Sequence, residues 1–181
     1  DYKPMSFTEN ESRRLFQQLI SSIEWKQEEL SMYGKKVKTP RLTAWYGDEN
    51  KSYKYSGVRF YALPWTEDLL FIKTITEALS GETFNSVLLN LYRDGNDSMA
   101  WHSDDEPELG TNPIIASVNF GQERRFDFRQ KKDHSIKHSV MLENGSVLIM
   151  KGDIQHHWQH QLAKTAKAIK PRINLTFRKI K

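Results

Sequence analysis

The 181-residue chain contains no cysteine, and that one absence removes several chemistries at once. No disulfide can staple the fold, no thiolate can hold zinc, and no thiol can act as a nucleophile. The lack of cysteine also fits an intracellular protein, cytoplasmic in a bacterium or nuclear in a eukaryote, because oxidising compartments favour disulfides. No apolar run approaches the roughly 20 residues needed to span a bilayer, so no membrane partner is expected. The opening Asp1-Tyr2-Lys3-Pro4 has none of a signal peptide's apolar core. Internal repeats, low-complexity tracts and linkers are missing too. One domain is therefore the simplest organisation, and nothing demands more than a monomer.

What is present reads as a globular chain. Charged residues make up 28%, hydrophobic residues 38% and aromatic residues 12%, the last above what a disordered chain carries. The net charge of +4 and the pI near 9.2 suit a polyanionic partner, but many basic proteins bind no nucleic acid.

Two segments have helical periodicity. Over residues 8–23, Thr8 and Glu11 have the spacing of a capping box, and Leu15, Phe16, Leu19, Ile20 and Ile23 form a stripe. Over 66–80, Leu69, Ile72, Ile75 and Leu79 form another, with Pro64 before it and Gly81 at the C-terminal cap position. Both stripes predict core-facing surface. The rest is β in pattern, with strands expected at 42–46, 53–60, 86–92, 99–104, 114–120, 124–129, 137–142, 146–150, 154–160 and 172–178. Asp94-Gly95-Asn96, Gly121-Gln122 and Asn144-Gly145 are turn signals between them. Many short strands following two helices predict a mainly β fold, a sandwich or jelly roll with helical support on one side.

His102 and Asp104, two apart on a strand, would point to one face and could take adjacent positions on a metal. A further histidine would complete a two-histidine, one-carboxylate facial triad of the kind that holds iron(II) with open positions. HxD alone occurs often by chance. Candidates for the third ligand lie in Asp153-Ile154-Gln155-His156-His157-Trp158-Gln159-His160, which holds three of the six histidines. Strand alternation puts His156 and His160 on the same face, so spacing does not choose between them. His134 and His138 sit in a charged stretch and read as solvated.

Arg172-Ile173-Asn174-Leu175-Thr176-Phe177-Arg178 alternates strictly, with one face apolar and the other polar and bounded by arginines. Such a polar face is usually plain solvent decoration. Inside a barrel mouth it would be an anion site for a dicarboxylate, because arginine's planar fork matches a carboxylate. Asn90 and Tyr92, again two apart, could add neutral hydrogen bonds.

Taken together, HxD, a distal histidine and R-x-N-x-T-x-R resemble the AlkB family of 2-oxoglutarate oxygenases. The resemblance runs from about Tyr33 to the end. It takes in Pro40-Arg41-Leu42-Thr43-Ala44-Trp45-Tyr46-Gly47, Asn90-Leu91-Tyr92, the run from His102 to Glu106, Ile115-Ala116-Ser117-Val118, Arg125-Phe126-Asp127-Phe128-Arg129 and Trp158-Gln159-His160. It implies a double-stranded β-helix (jelly roll) with an N-terminal nucleotide-recognition lid, hairpins over about 30–60 and a catalytic core over about 86–181. It also implies His102, Asp104 and His160 as iron ligands, since the family's distal histidine follows the Trp-x pair. Arg172 would bind the distal carboxylate of 2-oxoglutarate with help from Tyr92, and Asn90, Asn174, Thr176 and Arg178 would complete the pocket.

The implied cofactors are iron(II), 2-oxoglutarate as cosubstrate, and O2. The implied reaction is oxidative demethylation of 1-methyladenine or 3-methylcytosine in alkylated DNA, or in RNA, releasing formaldehyde, succinate and CO2. A methylated base must be flipped out and held by stacking. Trp45, Tyr46, Tyr53 and Tyr55 are aromatic candidates, some of which must be core; the resemblance favours Tyr53 and Tyr55, with Tyr55 stacking opposite His102. Asp105 and Glu106 resemble the acidic pair at the base edge, where a carboxylate would favour a cationic methylated base. Met32-Tyr33-Gly34-Lys35-Lys36 looks like the family's finger hairpin, with Tyr33, Gly34 and Lys35 as substrate contacts. Further basic positions (Lys38, Arg41, Arg124, Arg125, Arg129, Lys131, Lys132, Lys164, Lys167 and Lys170) read mostly as solvated charges. Rival readings are the same chemistry on methylated RNA or protein, a non-catalytic nucleic-acid-binding jelly roll, and a metal hydrolase on a similar barrel. The last two have no need of Arg172 and Arg178.

Overall fold

Strict alternation along the central strands sorts their side chains into two buried faces, and the fold is built around that division. The structure, a computed structural model, describes residues 1–32, 35–49, 52–55 and 58–181, without the side chains of 30–32, 35, 52–55 and 58–61. The major sheet has the order β1 (Tyr2–Lys3), β12 (Ser146–Met150), β9 (Ile115–Gly121), β14 (Arg172–Arg178), β7 (Ser86–Tyr92) and β4 (Leu42–Gly47). The minor sheet runs β11 (Lys137–Leu142), β10 (Arg124–Gln130), β13 (Trp158–Leu162) and β8 (Met99–His102). Every named pair in both sheets is antiparallel. Two short hairpins stand apart, β2 (Glu29–Met32) with β3 (Lys35–Lys38) and β5 (Ser52–Tyr55) with β6 (Val58–Tyr61).

On the outer face of the major sheet, Leu89, Leu175 and Val118 lie in one row and Leu91, Ile173 and Phe120 in the next. Helices α1 (Glu9–Ser22) and α2 (Glu67–Ser80) close this face, burying Leu15, Leu19, Leu69 and Ile72 against it. Thr8 caps α1 through the expected box: its hydroxyl accepts from Glu11 N at 3.2 Å, and the Glu11 carboxylate accepts from Thr8 N at 2.8 Å. Helix α2 ends on Gly81 in the left-handed conformation, φ 72°. Thr76, its hydroxyl donating to Ile72 O, shares the buried face of α2, whereas Leu79 is 36% exposed.

A second apolar cluster, Leu109, Ile115, Leu142, Leu148, Met150 and Ile180, fills the space between the sheets at one end. Trp45 and Phe126 pack against it. Two facing antiparallel sheets of this kind make the expected jelly roll. Residues 42–47, inside the stretch read as lid and finger hairpins, instead form the edge of the major sheet. Among the described residues, no helix is long and apolar enough to cross a membrane.

Three local expectations are corrected. The strand expected at 53–60 is two paired antiparallel strands, Ser52–Tyr55 and Val58–Tyr61. The strand expected at 154–160 opens instead with a helical turn, α3 (Ile154–His157), so His156 and His157 do not share the alternation of β13. The strand expected at 99–104 stops at His102. Beyond it Ser103 Oγ donates to Trp158 O at 2.9 Å and Asp104 N donates to the Gln155 side chain at 3.0 Å, drawing the chain out of the ladder.

Phe177 is fully buried between Trp65 and Phe84 on the helix-covered face. Its replacement by alanine is expected to cost about 3–5 kcal/mol through lost burial and the cavity left behind. Urea unfolding of wild type and Phe177→Ala, compared at equal slope, measures this directly.

Candidate metal centre and cosubstrate pocket

His102 and His160 are direct cross-strand partners on β8 and β13, and their ring centroids are 4.2 Å apart. Asp104 reaches the same point from the loop after β8, with Oδ1 4.0 Å from His102 Nε2 and Oδ2 3.7 Å from His160 Nε2. One ligand atom from each of the three lies within 4.8 Å of the others. Metal bonds to imidazole and carboxylate are about 2.0–2.2 Å long, so a single ion can be reached by all three with small side-chain adjustments.

The protonation pattern suits a cation. His102 Nδ1 lies 2.8 Å from Ala100 O, so the ring donates there and turns the Nε2 lone pair toward the cluster. Burial, reinforced by His102, pushes the His160 pKa down to about 3, which keeps that imidazole neutral and able to ligate. Burial opposes ionisation of Asp104, but the charge of Arg178 outweighs it and holds the carboxyl below its ordinary value. Arg178 Nη2 donates to Asp104 Oδ1 at 2.6 Å. The donor set of two imidazoles and one carboxylate fits a divalent iron.

The inner face of the major sheet carries a polar row at one register: Thr43, Asn90, Asn174, Asn119 and Ser146, taken from β4, β7, β14, β9 and β12. The amides satisfy one another. Asn174 Nδ2 donates to Ser117 Oγ at 2.7 Å and to Asn119 Oδ1 at 3.3 Å, and Thr176 Oγ1 donates to Asn174 Oδ1 at 3.0 Å. A narrow cavity of about 40 Å³ lies between this row and the triad; Asn90, Tyr92, Asn174, Thr176 and Arg178 line it together with His102, Asp104 and His160. Met99, Leu88, Phe126 and Met150 form its apolar wall.

Arg172 lies beneath Tyr92, its guanidinium 5.4 Å from the ring centroid, and donates to Asn119 Oδ1. It is 2% exposed, and among the described residues its Nε has no hydrogen-bond partner. Burial, helped by the nearby Arg124, lowers its pKa to about 10. A buried guanidinium with an unused donor is a strained arrangement that an incoming carboxylate would relieve.

Several side chains had escaped the reading of the sequence. Gln155, 1% exposed, accepts from Asp104 N through its side chain and so fixes the loop that presents the carboxylate. Arg41 Nε donates to Asn90 Oδ1 at 2.9 Å, which leaves the Asn90 amide nitrogen for the cavity side. Ser117 and Asn119 sit two apart on β9, the same signal that singled out Asn90 and Tyr92, and were legible on that ground. Arg124 is buried and holds Ala163 O at 2.6 Å, so it ties loops together and is not a solvated charge. Arg129 stacks over Trp101 at 4.4 Å.

Not every expected site residue joins the cluster. His156 points to Asn112 at 2.8 Å and His157 to Asp153 at 3.5 Å, both away from the triad. Tyr46 is core and Trp45 packs on the second cluster. Asp105 and Glu106 follow Asp104 directly, with Asp105 exposed at the rim. Tyr33 and Gly34 lie outside the described residues. Lys35 falls in β3, and Tyr53 and Tyr55 in β5, where side chains are not described.

A jelly roll that brings two imidazoles and a buried carboxylate to the edge of a polar cavity defines the class of mononuclear non-haem iron enzymes. The chain belongs to the 2OG-Fe(II) oxygenase superfamily, whose profile matches residues 2–178, and within it to the AlkB family. It is 42% identical over 179 residues to alpha-ketoglutarate-dependent dioxygenase alkB homolog 3 of Bos taurus, covering 94% of this chain and 62% of that protein. It is 39% identical over 184 residues to DNA oxidative demethylase ALKBH2 of Homo sapiens, covering 96% of this chain and 70% of that one. The chain thus spans about three fifths of the alkB homolog 3 relative's length. The solved structure of OsALKBH1 superimposes with a TM-score of 0.65 at 17% identity, covering 99% of this chain and 97% of that one, a likeness of fold alone.

His160→Ala is expected to abolish binding of manganese(II) in place of iron, and His156→Ala to leave it near wild type. Equilibrium dialysis of the purified variants distinguishes the two; loss of metal only in His156→Ala would reverse the ligand assignment.

Proposed function

We propose that this protein demethylates N-alkylated bases in DNA, with 1-methyladenine and 3-methylcytosine as substrates. The observation that carries this reading is the triad of His102, Asp104 and His160 set beside a polar cavity that Arg178 lines. Its relatives include a protein named DNA oxidative demethylase, which supports the choice of nucleic acid.

In this reading His102, Asp104 and His160 hold iron(II). Arg172 and Tyr92 take the distal carboxylate of 2-oxoglutarate, and Asn90, Asn174, Thr176 and Arg178 orient the rest. When bound, iron(II) and 2-oxoglutarate supply the oxidation that, with O2, hydroxylates the N-methyl carbon and yields succinate and CO2, the hydroxymethyl group then leaving as formaldehyde. The protein's own work is orientation and electrostatics. The asparagine row presents neutral donors and acceptors in a dry site, while Met99, Leu88, Phe126 and Met150 keep water from the reacting methyl group. Asp105 and Glu106 meet the base edge, Tyr53 and Tyr55 stack on the flipped base, and Tyr33, Gly34 and Lys35 engage the strand from the hairpin. The net charge of +4 favours a polyanion, and the protein works as a monomer.

Mass spectrometry of oligonucleotides carrying 1-methyladenine or 3-methylcytosine tests the reaction, with single- and double-stranded DNA and RNA run in parallel. Loss of the methyl group that depends on 2-oxoglutarate is expected on DNA. Turnover of 2-oxoglutarate without loss from any strand would send the chemistry to another substrate, and loss only from RNA would favour the rival nucleic acid. Arg172→Met is expected to raise the KM for 2-oxoglutarate roughly ten- to a hundredfold, the cost of one charge-assisted pair. An unchanged KM would remove Arg172 from the cosubstrate site.

A further inference from the structure

The acidic residue at the rim is not alone. Lys131, the residue after β10, donates from Nζ to Asp105 Oδ2 at 3.0 Å and to Gln155 O at 2.8 Å. Its backbone N also donates to His157 O at 2.8 Å, so the lysine is anchored on α3 from both ends. The side chain is 29% exposed against 52% for Asp105. Lys131 is thus the more buried side chain of the pair. Neighbouring Lys132 is exposed and makes no ion pair among the described residues.

We propose that Lys131 sets the lesion specificity of this site by offsetting the charge of Asp105, so that neutral as well as cationic methylated bases are accepted. The inference rests on the reading of Asp105 as a contact to the base edge. A bare carboxylate at that edge attracts a base that methylation has made cationic and gives a neutral methylated base no such advantage. An ammonium 3 Å from the same carboxylate cancels much of that field. The cancellation grows in importance as the bound base expels water, because screening falls. Lys131 also restrains the loop from Asp104 to Glu106 through Asp105. That effect is common to all lesions and drops out of a ratio.

The test is the ratio of kcat/KM for 3-methylcytosine, which is cationic, to that for 3-methyluracil, which is neutral and nearly the same shape, in one single-stranded sequence. Lys131→Met is expected to raise the ratio about fivefold, the size of a partly exposed charge interaction. Lys131→Arg, which keeps the charge, and Lys132→Met, which removes the same net charge without touching Asp105, should both retain the wild-type ratio. In an Asp105→Asn background the effect of Lys131→Met should vanish. An unchanged ratio in Lys131→Met, with wild type active, overturns this proposal alone; so does an equal rise in Lys132→Met, which would point to bulk charge. Wild type inactive on both lesions overturns the demethylase reading and this proposal with it.

Discussion

The central strands of the major sheet are buried on both faces, and only one of those faces is apolar. Polar groups taken from water must find partners or cost stability, and the fold answers with a row of amides and hydroxyls in register across β4, β7, β14, β9 and β12. Asn174, Asn119, Ser117 and Thr176 bond to one another. The result is a rigid polar wall inside a barrel, and everything that makes the site a site is attached to it. Arg172 is wedged behind Tyr92 at one end of β14, and Arg178 reaches Asp104 from the other.

That wall also explains why the metal carboxylate can lie in the interior. Asp104 is 3% exposed, a position in which an unpaired carboxylate would take up a proton. The Arg178 guanidinium keeps it ionised, and Gln155 fixes its backbone. The opposite sheet supplies the histidines. The pairing of His160 with His102 across β13 and β8 is direct, so the distance between them is set by the spacing of strands and does not depend on a flexible loop. The carboxylate alone comes from irregular chain, and it is correspondingly the most heavily buttressed of the three.

Much of this was legible in the chain itself. The alternation of Arg172 to Arg178 marked a two-faced strand, the Thr8–Glu11 spacing marked a helix start, and Gly81 marked a helix end; all three took the expected form. Where the expectation failed, a local pattern met a tertiary demand. The segment from Ile154 to His157 carries no strong helix signal and turns helically because Gln155 has to reach back to Asp104. Strand β8 ends at His102 because Asp104 gives its N–H to that same glutamine. Arg124, read as a solvated charge, is buried because three backbone carbonyls from two separate loops converge on it.

By itself the sequence determined the kinds of chemistry available. It has no thiols, an HxD pair, a distal histidine and a strand with arginine at both ends, and side-chain type and period are local properties of a chain. Tertiary structure decided which of these meet. Choosing His160 over His156 by geometry, pairing Lys131 with Asp105, turning the Asn90 amide through Arg41, and burying Arg172 with a donor to spare all join residues 26 to 49 or more positions apart or depend on depth within the barrel. Such distances are set by how two sheets pack, which no single stretch of sequence encodes.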